Sequence, residues 1–93
     1  MLVGRCRVEI LVHDSRSLKD RRRILDSVME QLRHKFNICV AQVDRAERWN
    51  HAVLGIAVVA NERRFLDSVL TRTVNALEAD PRLSVLGAEV EID

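Results

Sequence analysis

The heptapeptide Ser17-Leu18-Lys19-Asp20-Arg21-Arg22-Arg23 packs four cations into seven residues, and the chemistry such a cluster supports is the holding of an anion. Ser17 stands three residues before Asp20, a relative of the capping box with Asp in place of the usual Glu, so a helix is expected to start at Leu18. The cations then fall in its first two turns, and a cation in the first turn opposes the helix dipole by about 0.3–1 kcal/mol. Asp20 offsets part of this. A bound phosphate would offset more, because the first N–H groups of a helix lack intrahelical partners.

The surrounding elements decide what joins this cluster. Leu2, Gly4, Cys6, Val8, Ile10 and Val12 alternate with Arg5, Arg7 and Glu9, the pattern of a half-buried strand. In the helix after it, Leu18, Ile24, Leu25, Val28, Met29 and Leu32 form an apolar stripe opposite Lys19, Arg22, Arg23, Asp26, Glu30 and Arg33, and it ends near Lys35. Residues 36–43 and 52–60 read as two further strands joined by the polar run 44–50, the second of them central and apolar throughout. Asn61 is the expected N-cap of a second helix, with Leu66, Val69, Leu70, Thr73, Val74 and Leu77 inward, stopped at Asp80-Pro81. Leu86, Ala88, Val90 and Ile92 mark a last strand.

The order β-α-β-β-α-β is the split βαβ pattern, so the fold class expected is α+β, a ferredoxin-like sandwich in one domain over 1–93. Right-handed crossovers give an antiparallel four-stranded sheet of order 4-1-3-2 with two helices on one face. Cys6 and Cys39 then lie two strand spacings apart, about 9–10 Å, beyond disulfide reach. Both are expected as reduced thiols in the core. Arg5 and Arg7 are expected to pair across strands with Glu89 and Glu91.

This topology gathers one sheet edge from three connections. Arg16, Lys19, Arg21, Arg22, Arg23, Arg45, Arg48 and Arg82 meet there with His13, His51 and Trp49, against Asp14, Asp20, Asp44, Glu47 and Asp80. Taken singly, each helix cation reads as a solvated surface charge, with Arg22 and Arg23 spaced for pairs with Asp26. Taken together they point to an anion site. Arg21 stands apart, since its helical angle lies in the apolar stripe; snorkelling to the domain's end and a ligand-directed role both explain it. Trp49 reads as a partly buried loop anchor or interface residue, which is compatible with stacking on a base.

Several classes are excluded on composition and spacing. The net charge is +1, so there is no global basic excess of the kind that marks nucleic-acid binding by itself. Residues 16–35, however, hold seven Lys/Arg against three acids, and 78–93 hold five acids against one Arg. His13, His34 and His51 are scattered without metal-ligand spacing, the expected first and third strands lack the aromatics of an RRM, and the glycines fall inside strands rather than in a phosphate-cradling loop. No nucleophile–base constellation stands out, so the chain reads as a non-enzyme without cofactor. No signal peptide or membrane span is visible, and a cytoplasmic location is expected.

The stretches "SLKDRRRIL" at 17–25, "FNICVAQVD" at 36–44, Trp49, "LGIAVVAN" at 54–61 and the Glu-Val-Glu-Ile ending resemble the bacterial YlxP-like family, a ferredoxin-like domain of unknown function. The family's signature maps onto Ser17, Leu18, Lys19, Arg21, Arg22, Asp44, Trp49, Gly55 and Asn61. Arg21 stands where the family has Lys, and Gln42 where it has Glu. The resemblance implies an RNA- or ribosome-associated role, because the family's genes lie among those for transcription-termination, translation-initiation and ribosome-maturation factors.

Two functions follow as expectations. One is an RNA- or ribosome-binding module using Arg16, Lys19, Arg21, Arg22, Arg23, Arg45, Arg48 and Trp49. The other is a homodimeric or protein-interaction scaffold using Val53, Gly55, Ala57 and Val59 on the sheet face that the helices leave open, joined by Val3 and Leu11.

Overall fold

The computed structural model describes residues 1–44 and 48–93. Its elements are β1 (Leu2–Val12), α1 (Leu18–Lys35), β2 (Cys39–Asp44), β3 (His51–Ala60), α2 (Arg63–Glu78) and β4 (Leu83–Ile92). They form one antiparallel sheet of order β2-β3-β1-β4, the order expected from the sequence. β1 is central and paired along its length, with Cys6 opposite Ile56 of β3 and Val90 of β4. Because side chains alternate, this register sends Cys6, Val8, Ile10 and Val12 to the same face as Ala52, Leu54, Ile56 and Val58. Those eight are buried with Leu25, Val28 and Leu32 of α1 and Leu66, Leu70 and Leu77 of α2. Gly4 lets α2 come close over β1, since a Cβ there would meet Leu70 Cδ1 at 3.1 Å.

Helix α1 begins as expected: the Ser17 side chain accepts from the Asp20 N–H at 3.1 Å. The return contact runs from Arg16 N to Asp20 Oδ2 at 3.3 Å, so the box closes one residue earlier than the usual pattern. Leu18 does not enter the core and is 61% exposed. Its helical angle is right, but the first turn overhangs the core, and a period gives direction without guaranteeing a facing layer. Helix α2 is capped at Glu62 without a side-chain bond, not at Asn61. Phe36 is the C-cap of α1 and is buried beneath the Lys35 and Arg72 cations, so β2 starts at Cys39, later than its β-branched run suggests.

Two irregularities re-aim side chains. Leu86 is an extra residue between Gly87, opposite Glu9, and Val85, opposite Ile10, so β4 runs back to Leu83 rather than starting at Leu86. Val43 is the corresponding bulge in β2, between the Gln42 and Asp44 pairings. Cys39 pairs with Ala57, on the face away from Cys6, and is exposed while Cys6 is buried. The expectation of two core thiols is therefore corrected for Cys39: one residue's offset in register carries a side chain to the other face. Burial pushes the Cys6 thiol pKa up.

The open face carries the odd-numbered residues of β3, as the scaffold reading requires. Val53 is nevertheless buried at 8%, while Val59 is 58% exposed. Arg5 and Arg7 stand opposite Glu91 and Glu89 in register, yet their ion pairs go elsewhere. Arg5 pairs with Asp93 at 2.9 Å, and Arg7 crosses β3 to Asp44 of β2, its Nε donating at 3.1 Å. That bond holds the Arg7 guanidinium pKa above its usual value, with the Asp44, Glu89 and Glu9 charges adding to it. No helix among the described residues is long and apolar enough to cross a membrane.

Gly55 makes room for this arrangement, because a Cβ there would come within 2.5 Å of Val43 Cγ1. Gly55→Ala is expected to destabilise the fold by roughly 1–3 kcal/mol in urea unfolding. A Val43→Ala background should remove most of that loss. Additive effects of the two substitutions would show that Val43 does not fill the space over Gly55.

Candidate nucleic-acid interface

The edge where β1 ends and α1 begins is built around Arg21. Its angle on α1 points it along the apolar stripe, and a guanidinium in that position must find acceptors. It finds them in the loop entering β3: Nη1 donates to the Arg48 carbonyl at 3.1 Å and to the His51 carbonyl at 3.0 Å. Nε is buried without an acceptor among the described residues. Arg21 thus snorkels, as one of its two expected readings has it, and its Nη1 is occupied by backbone rather than presented to solvent.

Two further bonds hold the same loop. The Ser15 hydroxyl donates to the Trp49 carbonyl at 2.9 Å, and Val12 N donates to the Asn50 carbonyl at 2.6 Å. Ser15 is buried at 7%, in a turn where Asp14 adopts a left-handed φ of 58°. Four successive carbonyls, 48 to 51, are therefore each held by a donor from β1, the turn or α1. Ser15 is not among the site residues expected from the sequence. The signal available was only a small hydroxyl residue directly after a strand, which is too common to single out.

The remaining cations sort cleanly. Arg82 is used internally, with Nη1 on Ser27 Oγ at 2.9 Å, Nη2 on Gln31 Oε1 at 3.0 Å and a salt bridge to Asp80 at 2.7 Å. Hydrogen bonding to Arg82 holds the Asp80 carboxyl below its usual pKa, and Asp80 in turn raises that of Arg82. Arg45 and Glu47 lie outside the described residues. Arg16, Lys19, Arg22, Arg23 and Arg48 are all exposed. None of the five makes an ion pair among the described residues, and the spacing of Arg22 and Arg23 to Asp26 is not used. Of the described edge carboxylates, Asp44 and Asp80 are taken by Arg7 and Arg82, and Asp14 and Asp20 make no ion pair among the described residues.

Trp49 is 55% exposed, so it is not the partly buried anchor that its type suggests; its backbone does the anchoring. His13 bonds Ser84 Oγ through Nε2 at 2.8 Å, tying the turn after β1 to β4. Among the described residues no group of three His, Cys, Asp or Glu gathers as a metal site. The edge offers cationic and aromatic surface, which suits phosphates and flat rings.

Comparison with known proteins gives three kinds of match. The family model described as "Protein of unknown function (DUF503)" matches residues 3–90. The uncharacterized protein YlxP of Bacillus subtilis (strain 168) is 24% identical over 82 residues, covering 88% of this chain and 89% of that protein. Among solved structures, the de novo designed protein Foldit4 superposes with a TM-score of 0.54 at 15% identity, covering 99% of this chain and 94% of its own. The designed protein LFR1 1, with a ferredoxin fold, gives 0.52 at 18% identity, covering 98% and 86%. These two likenesses establish the ferredoxin-like architecture and nothing about activity.

Arg21→Met keeps the aliphatic stem and deletes the donors to the Arg48 and His51 carbonyls. The expected cost is about 1–3 kcal/mol, with faster hydrogen exchange at the Val12 and His51 amides while the central β1 amides stay protected. Unchanged exchange at Val12 and His51 would show that Arg21 does not hold the loop.

Proposed function

The chain belongs to the DUF503 family of proteins of unknown function, and from that premise we propose that it is an RNA- or ribosome-associated binding protein, not an enzyme, that meets phosphates with Arg16, Lys19, Arg22, Arg23 and Arg48. One observation carries the reading. Arg5, Arg7 and Arg82 are matched by Asp93, Asp44 and Asp80, whereas these five gather at one edge and make no ion pair among the described residues. Like charges held together without counter-charge cost stability, and a polyanion relieves that cost. Phosphate contacts made this way carry affinity and positioning, not sequence information.

The test is fluorescence anisotropy of a labelled single-stranded RNA against the protein across about 50–200 mM salt. Replacing Lys19, Arg22, Arg23 and Arg48 together with Ala is expected to weaken binding and to flatten the log–log salt dependence by about 0.7 per lost phosphate contact. Arg21 is left intact, because its substitution would disturb the loop itself. If the fourfold variant binds RNA with the affinity and salt slope of the parent, this edge is not the interface.

A second reading, association of two copies through the open sheet face, is favoured by Val43 and Val59, 52% and 58% exposed beside Gly55 and Ala57. It predicts a dimer in sedimentation equilibrium that a Val59→Glu substitution dissociates. A monomeric mass across the concentration range would remove it.

A further inference from the structure

Trp49 is the chain's only tryptophan, and there is no tyrosine. The residue is 55% exposed, which leaves apolar surface in water. Its backbone is the opposite of loose. The Trp49 carbonyl is taken by Ser15 at 2.9 Å, those of Arg48 and His51 by Arg21, and that of Asn50 by Val12 at 2.6 Å. His51 N also donates to the Arg48 carbonyl at 3.2 Å. An exposed indole on a fixed backbone loses little further freedom when something flat covers it, so contact there is not offset by the usual ordering entropy.

What would cover it follows from its neighbours. Arg48 adjoins it in sequence, and the Ser15 bond sets its carbonyl beside the turn that carries Arg16 and leads to Lys19. A phosphate held by Arg48, the neighbour of Trp49 in sequence, would bring its attached nucleotide to the same loop. A duplex offers phosphates but keeps its base faces stacked inward. An unpaired nucleotide offers both phosphate and free ring.

We infer that Trp49 is a stacking platform for an unpaired base, so that the edge selects single-stranded or bulged RNA over continuous duplex. This rests on the phosphate-binding reading above and assigns that edge its substrate class. The indole supplies the preference for an open base, and the cations supply sequence-independent attraction.

Intrinsic fluorescence reports on Trp49 alone, which makes the test direct. The protein is titrated with single-stranded oligoadenylate, with the same length of RNA duplex, and with inorganic polyphosphate, while displacement of a labelled RNA measures binding of each. Oligoadenylate is expected to bind and to quench; polyphosphate is expected to compete without quenching. Duplex should bind more weakly than the single strand. Trp49→Ala should lose affinity for oligoadenylate by at least about fivefold with its affinity for polyphosphate unchanged, and Trp49→Phe should recover part of the loss.

Salt-sensitive binding of oligoadenylate with no quenching, and with Trp49→Ala as tight as the parent, would overturn the stacking role and leave the phosphate edge standing. No binding of either RNA or polyphosphate would overturn both. A fluorescence change that follows protein concentration without RNA would place Trp49 in a contact between copies, and that too would overturn the inference.

Discussion

Strand β1 is hydrogen-bonded on both sides, and the alternation of its side chains decides what each face of the molecule can hold. Residues with even numbers from Cys6 to Val12 meet the helices and lose nearly all exposure, the Val and Ile side chains among them contributing about 1.5–3 kcal/mol each by leaving water. Residues with odd numbers from Arg5 to Glu9 face solvent, where Arg5 and Arg7 take partners in opposite directions across the sheet. The strand's last amide, Val12 N, passes beyond the ladder to Asn50. The same strand therefore ends by fixing the loop that carries Trp49.

Elements governed by local pattern were legible in the sequence. The alternation of β1 and the Ser17 cap gave correct boundaries for β1 and α1, and the element order gave the sheet order through a handedness rule. What failed were inferences that needed a facing layer or an exact register. Leu18 has the right helical angle but overhangs the core. Cys39 sits one position out of phase with the buried Val40, and only the observed pairing with Ala57 reveals this. Bulges at Val43 and Leu86 are single-residue events without a turn signal, and they shift every side chain beyond them.

The edge shows the same division at finer grain. That cations gather there follows from topology, which says which loops share an end. Which of them are occupied does not, because Arg21 and Arg82 differ from Arg22 and Arg23 only in what lies within reach of their guanidinium groups. Arg21 was the residue whose two explanations the sequence left level, and the Arg48 and His51 carbonyls decide for snorkelling where Nη1 is concerned. Ser15 was missed because its partner, the Trp49 carbonyl, lies 34 residues away, and no sequence pattern encodes a side-chain bond to a distant backbone.

Cations with a structural task are each within bonding distance of what they hold. Arg33 Nη2 reaches the Val40 carbonyl at 2.8 Å, and Arg21, Arg82, Arg5 and Arg7 have their partners. Among the described residues Lys19, Arg22 and Arg23 hold nothing comparable, and Lys19, in the first turn, opposes the α1 dipole. Moving such charges to the carboxyl end of the helix, where Arg33, His34 and Lys35 already complement the dipole, would stabilise the helix with no change in composition. An anion shared by the helix start and these cations, as proposed above, would offset that cost, and the internal use of Arg21 removes from the set the cation that has a structural explanation.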